Sequence, residues 1–419
     1  MLDSLKTAFK LEELRGKLLF TLAMIFLFRV GAHIPVPGVN PEAFANLLTQ
    51  GALLGFFDVI SGGAFKNASI FAMSITPYIN ASIIMQLLTV VIPHLEKLAK
   101  EGEEGRKKIT QYTRYFTAVL AFIQAIGMSV ALKGALVNPT ILNYLVVAIT
   151  LTAGTVLLMW LGEQITEKGI GNGISLIIFA GIVSRIPSAL VSIVEYLQVG
   201  TINILSVLLM VVVGTLVIAA IVFVNEGQRR IPVQYAKRVV GRRVYGGQTS
   251  HLPLKVNQAG VIPIIFASSL LMFPGQIAAW FQGNVVADWY LNWFAWGGAL
   301  NSILYALLII GFTYFYTAVI MNPVDMADNI KKYGGFIPGL RPGRSTAEYI
   351  SRVMSKITLA GAVFLAAIAI MPNITLPLTG IPDLYFGGTA LLIVVGVALD
   401  TMKQIESHLL MRSYQGFLK

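Results

Sequence analysis

Long apolar runs alternate along this chain with polar, mostly basic segments. A run of about 20 apolar residues, wound as a helix rising 1.5 Å per residue, crosses a hydrocarbon core of about 30 Å. Ten such runs occur: Leu18–Val36, Ala68–Pro93, Tyr115–Leu132, Ile141–Leu161, Gly173–Val194, Thr201–Val224, Ala259–Phe281, Ala299–Met321, Ile357–Pro372 and Leu384–Met402. Eight lack charge apart from Asp400, while Arg29 lies in the first and Arg185 in the fifth. Both arginines are expected near outer helix ends, where long side chains snorkel to the interface. The first run is too long for a cleavable signal, and no small-residue cleavage site follows it. The pattern predicts an all-α polytopic membrane protein with ten transmembrane helices.

Charge placement fixes the orientation expected. Of 31 Lys and Arg, 27 fall in the N-terminal segment, every second loop and the tail, while the alternate loops hold only Lys66 and Lys133. Loops rich in Lys and Arg stay inside, so both termini are predicted to be cytoplasmic. With five spans each, residues 1–194 and 195–402 enter the membrane from opposite sides, ahead of a cytoplasmic tail at 403–419. That arrangement permits an inverted repeat, although no internal sequence identity shows one.

Composition narrows the chemistry. The 419 residues are 56% hydrophobic and 12% charged, with mean hydropathy +0.74; soluble domains carry about a quarter charged residues. Cysteine is absent, which excludes disulfides, thiolate metal sites and cysteine nucleophiles. The four histidines are scattered, Gly102–Lys108 has the wrong spacing for a phosphate loop, and Gly339–Ser345 lacks its lysine. No span carries the paired carboxylates of an ion relay. The expectation is a protein that is no enzyme, with no catalytic residues, metal or cofactor, whose energy comes from elsewhere. A secondary transporter is the rival from another class, and it would need a charged or unwound midplane site.

Three segments depart from plain spans and loops. Gly55–Asn67 is too polar to cross lipid and too apolar for a solvated loop, so it is either re-entrant or an interfacial amphipathic helix. The inside loop 225–257 has β-branched and aromatic arms around a glycine-containing turn, the pattern of a projecting basic hairpin. The loop 322–356 contains Pro338-Gly-Leu-Arg-Pro-Gly343, a rigid turn presenting Arg341. These charges could serve only to retain the loops inside. Their length favours a docking surface for an acidic partner, RNA phosphates or a protein.

Several strings resemble a known family: Phe28-Arg-Val-Gly-Ala-His-Ile-Pro-Val-Pro-Gly38, Pro77-Tyr-Ile-Asn-Ala-Ser-Ile-Ile-Met-Gln86, Trp160 to Ser175, Gly227-Gln-Arg-Arg-Ile231 and His251-Leu-Pro-Leu-Lys-Val-Asn257. From near Leu18 to the tail the chain is similar to SecY, the channel subunit of the bacterial Sec protein translocase. The resemblance implies two inverted five-helix halves around an hourglass pore in the cell membrane. It also implies a plug at about 56–67, including Phe57, Ser61, Gly62 and Gly63, with the second span beginning near Ser69.

Carried over by position, the family's aliphatic pore ring falls on Ile75, Ile79, Ile174, Ile178, Ile265 and Ile393. Spacings of four put the first two pairs each on one helix face. The family's lateral seam, between helices two and three and helices seven and eight, makes Asn80, Gln86, Asn257 and Gln258 gate candidates. Arg229, Arg230, Arg238, Arg242, Arg243 and Arg341 align with its docking platform. The partners implied are SecE-like and SecG-like small membrane subunits, the SecA motor ATPase, ribosomes, signal peptides with nascent secretory or membrane proteins, and the lipid bilayer.

Overall fold

The structure, a computed structural model, describes residues 7, 9–40, 44, 58, 61–131, 133–200, 202–235, 238–240, 243–245, 249–281, 284–294, 298–379 and 388–416. In chain order its first helices are α1 (Glu12–Gly31), α2 (Thr76–Val91), α3 (Pro93–Lys100), α4 (Glu103–Ala131), α5 (Ile141–Lys168), α6 (Gly173–Val183), α7 (Ile186–Val199) and α8 (Ile204–Glu226). Four strands follow: β1 (Gln228–Tyr235), β2 (Arg238–Val240), β3 (Arg243–Tyr245) and β4 (Thr249–Lys255). Then come α9 (Ile262–Trp280), α10 (Val285–Trp293), α11 (Ala299–Ile320), α12 (Pro323–Lys332), β5 (Gly335–Phe336), α13 (Arg344–Thr379) and α14 (Gly388–Gly416). Every expected span overlaps a helix. Among the described residues seven are long and apolar enough to cross a membrane, or eight when α2 and α3, bent by 98°, count as one; α9 is a shorter apolar helix.

Local chemistry explains the breaks. Pro93 opens α3 after Ile92 leaves the helical region, and Pro187 sits in the first turn of α7, where a missing N–H costs nothing. Asn172 starts α6 by accepting the Ser175 N–H at 3.1 Å, and Asn322 starts α12 by accepting the Val324 N–H at 3.0 Å. Each side chain thus satisfies an amide the helix leaves open.

The second helix begins later than Ser69, and this is a correction. Ser69 bridges to Pro35 and residues 70–75 form turns, with α2 starting only at Thr76. Ala68 and Ser74 have φ of +44° and +52°, values an α-helix excludes. The segment bonds instead to the chain after α1: Val36 N–H donates to Ala68 C=O at 2.8 Å and Ile70 N–H to Ile34 C=O at 2.9 Å. Phe71 stacks on Phe28 beside it, with centroids 6.1 Å apart.

Helices α1, α2, α4, α5 and α6 pack among themselves, as do α8, α9, α11, α13 and α14. The two groups meet where α9 lies against α2 and α4 and where α14 lies against α6. Beyond the helices, β4, β1 and β5 form one antiparallel sheet that joins the two long loops, with Gln234 opposite Phe336 and Tyr235 opposite Gly335.

Candidate pore, plug and docking platform

The six isoleucines come from four helices. Ile75 caps α2 and Ile79 lies one turn on; Ile174 and Ile178 occupy α6, Ile265 α9 and Ile393 α14. All six belong to one apolar cluster at the junction of the two helix groups, Ile75, Ile79, Ile178 and Ile393 buried and Ile174 and Ile265 packed against them. A cavity of about 30 Å³ remains beside them, lined by Ile79, Ile178, Ile265 and Ile393 together with Thr76 and Ser268. It has room for only a water or two.

Against this cluster lie Asp58 and the described residues 61–69. Ala64 is fully buried within the cluster, while Phe65 enters a neighbouring core edge-on to Phe44 at 5.2 Å. Asp58 organises the turn, its carbonyl accepting the Gly63 N–H at 3.0 Å and its Oδ1 the Lys66 N–H at 2.7 Å. Ser61 Oγ donates to the Asp58 carbonyl and accepts the Phe65 N–H. Gly62, at φ +65°, presses so closely on α6 that an added Cβ would lie 2.5 Å from Gly181 Cα. Phe57 lies outside the described residues.

Arg29 lies in the last turn of α1 and Arg185 between α6 and α7, and both side chains reach groups of the 58–63 turn. Arg29 Nη1 donates to the Gly62 carbonyl at 2.8 Å, and Arg185 Nη1 lies 3.2 Å from Asp58 Oδ2.

The SecY family model matches residues 69–402. The chain belongs to the SecY family. It is 51% identical to the protein translocase subunit SecY of Halalkalibacterium halodurans over the whole of both chains. The SecY subunit of Escherichia coli K12 is 49% identical, with 98% of this chain and 95% of the relative covered. A solved structure described as a protein conducting channel matches with TM-score 0.68 at 22% identity, covering 94% of this chain and 92% of that one. Another, described as showing that the SecY plug domain stabilises the closed channel, matches with TM-score 0.69 at 21% identity over the same shares. The chain is a multi-pass protein of a bacterial membrane.

The seam expected from the resemblance would run between α2 and α4 on one side and α9 and α11 on the other; α9 packs on both α2 and α4. Of the four polar gate candidates, only Asn80 is buried in a helix of that seam. Gln86 bonds within its own helix to Ser82, and Gln258 accepts the Lys255 N–H in a local turn. Asn257 donates to Asn225 Oδ1 at 2.8 Å, beside the end of α8. The sequence did not single out Gln124 on α4 or Ser268 and Ser269 on α9, all buried. Among the described residues, Gln124 Nε2 has no hydrogen-bond partner.

The platform residues divide. Arg229 and Arg230 are exposed on β1, whose Ile231 and Val233 pack with Leu254, Ile337, Ile350 and Met354 beneath the sheet. Arg341 is exposed on the adjoining turn, where its carbonyl accepts the buried Thr346 hydroxyl at 2.9 Å. Arg238 and Arg243 begin the paired strands β2 and β3, and Arg242 lies outside the described residues. The resemblance assigned both loops to one platform, and the two-residue strand β5 is what physically joins them by pairing with β1.

Proposed function

We propose that this chain is the pore-forming subunit of a general protein translocase, passing unfolded polypeptides across a bacterial membrane and releasing apolar segments sideways into lipid. The observation that carries the reading is the convergence of Ile75, Ile79, Ile174, Ile178, Ile265 and Ile393 on one cluster at the meeting of the two helix groups. A constriction of branched apolar side chains blocks ions by dewetting and forms no directional bonds with a moving chain. The residues at about 56–67 close it as a plug. Helices of 1–194 and of 195–402 act as two halves, and α9 against α2 and α4 is the seam. A run of about ten apolar residues gains roughly 3–6 kcal/mol by entering lipid, at 0.3–0.6 kcal/mol each.

Both termini face the cytoplasm, as the distribution of Lys and Arg requires. The exposed arginines of the sheet and of the Arg341 turn receive SecA or the ribosome, which supply the energy. SecE-like and SecG-like subunits cover the lipid-facing helices. The test is resting conductance of the reconstituted complex. Ile75→Ser with Ile79→Ser raises ion leak severalfold; a leak equal to that of the parent channel would remove the ring.

A further inference from the structure

We propose that Asp58, Arg185 and Arg29 form a polar clasp that holds the plug segment in its resting place, a device that rests on reading the residues at about 56–67 as a plug. Asp58 is 5% exposed, and its two carboxylate oxygens do different work. Oδ1 accepts the Lys66 N–H at 2.7 Å and so shapes the segment's own turn, while Oδ2 faces Arg185 Nη1 at 3.2 Å and ties that turn to the helix pair α6–α7. Arg185 occupies the break between these helices, capping α7 ahead of Pro187. Its backbone stays in the αR region, its N–H donating to Ile182 C=O at 3.1 Å and its C=O accepting the Ala189 N–H at 3.0 Å, so a tight turn fixes the position from which the side chain reaches Asp58.

The second tie is independent. Arg29, in the last turn of α1, donates from Nη1 to the Gly62 carbonyl at 2.8 Å. Two arginines on different helices therefore grip a segment of few residues at a carboxylate and at a carbonyl. Both contacts lie outside the isoleucine cluster, so a passing chain need not touch them. They break only when the segment leaves. The carboxylate is held from two sides, which makes its loss from Arg185 a loss for the turn as well.

The test uses the full-length chain in its purified complex, reconstituted in liposomes, with ion leak normalised to the protein incorporated. Asp58→Asn keeps an oxygen for the Lys66 N–H but loses the charge, and Arg185→Gln removes the other partner. Each is expected to raise resting leak severalfold, with the double variant no leakier than the leakier single, since one contact is lost in all three. Arg185→Lys, which keeps the charge, should stay nearer the parent than Arg185→Gln. Unchanged leak in either single variant, effects that multiply in the double, or a lysine variant as leaky as the glutamine one overturns the clasp. Ile75→Ser with Ile79→Ser, measured alongside, separates the two ideas: if it leaks and the clasp variants do not, only the clasp falls. If it does not leak, the pore itself falls.

Discussion

Replacing Gly62 by alanine tests how the plug segment docks, because two separable costs meet there. The residue has φ +65°, and a left-handed conformation costs an L-residue about 1–2 kcal/mol. The added Cβ would also sit 2.5 Å from Gly181 Cα on α6, an overlap of backbone atoms that cannot rotate away; overpacking of this kind costs about 1–3 kcal/mol. Together these disfavour the docked state by about 2–5 kcal/mol, a shift of roughly 30- to 4000-fold at 1.4 kcal/mol per decade. Gly63 supplies the control. It has φ +86°, yet a Cβ there meets nothing within 4 Å, so Gly63→Ala carries the backbone cost alone. Resting anion efflux from liposomes holding each variant should rank Gly62→Ala well above Gly63→Ala, by about 5- to 140-fold in the undocked population. That gap corresponds to the steric part, about 1–3 kcal/mol. Equal efflux for the two variants would show that the close approach to Gly181 is not what seats the segment.

Other expectations follow from the same geometry. Arg230→Glu with Arg341→Glu should weaken binding of SecA or ribosomes on the order of tenfold at low salt, with the difference shrinking as salt rises; a salt-independent loss would point to misfolding of the sheet. Ile231→Ala empties part of the core beneath the sheet and should loosen it by about 2–5 kcal/mol, read as faster protease cleavage within 228–255 with resting leak unaltered. Because the chain has no cysteine, a thiol placed at Ile75 or Ile178 is unique. Both should crosslink to a stalled secretory chain, whereas one at exposed Leu205 should not.

How far the sequence revealed this architecture depended on the kind of signal. The apolar runs were legible because lipid imposes length and composition on a helix, and all ten expected spans overlap helices. The start of α2 was not, because residues 69–75 are apolar enough to continue a span yet are held in a bridge and turns beside Ile34 and Val36. An isoleucine facing a pore looks like one facing lipid, so the ring could come only from resemblance. Asp58 and Arg185 are far apart in the chain, and no periodicity links an ion pair of that kind. A lone carboxylate in a re-entrant stretch and an arginine beside a Pro-broken helix were the available hints. The strand β5, two residues long, offers no period for a pattern to detect.

The division of labour between ring and clasp has a physical reason. Lipid tails are as apolar as isoleucine, so hydrophobic burial gives a plug in a membrane little drive to stay docked; packing and hydrogen bonds must supply it. An aliphatic ring is suited to sealing around any chain, but for the same reason it does not specify one resting position. The polar ties of Arg29 to Gly62 and Arg185 to Asp58 do specify one. Polar contacts between membrane segments average about 0.6 kcal/mol and reach about 1.7, so two of them bias the closed state by roughly 1–3 kcal/mol. That is about 5- to 140-fold, enough to keep a resting membrane tight and small enough for an arriving chain to reverse. A plug fixed by many such ties would resist opening, and one fixed by none would leak. On this argument the strain introduced at Gly62, about 2–5 kcal/mol, is of a size that can outweigh the clasp while leaving the ring intact.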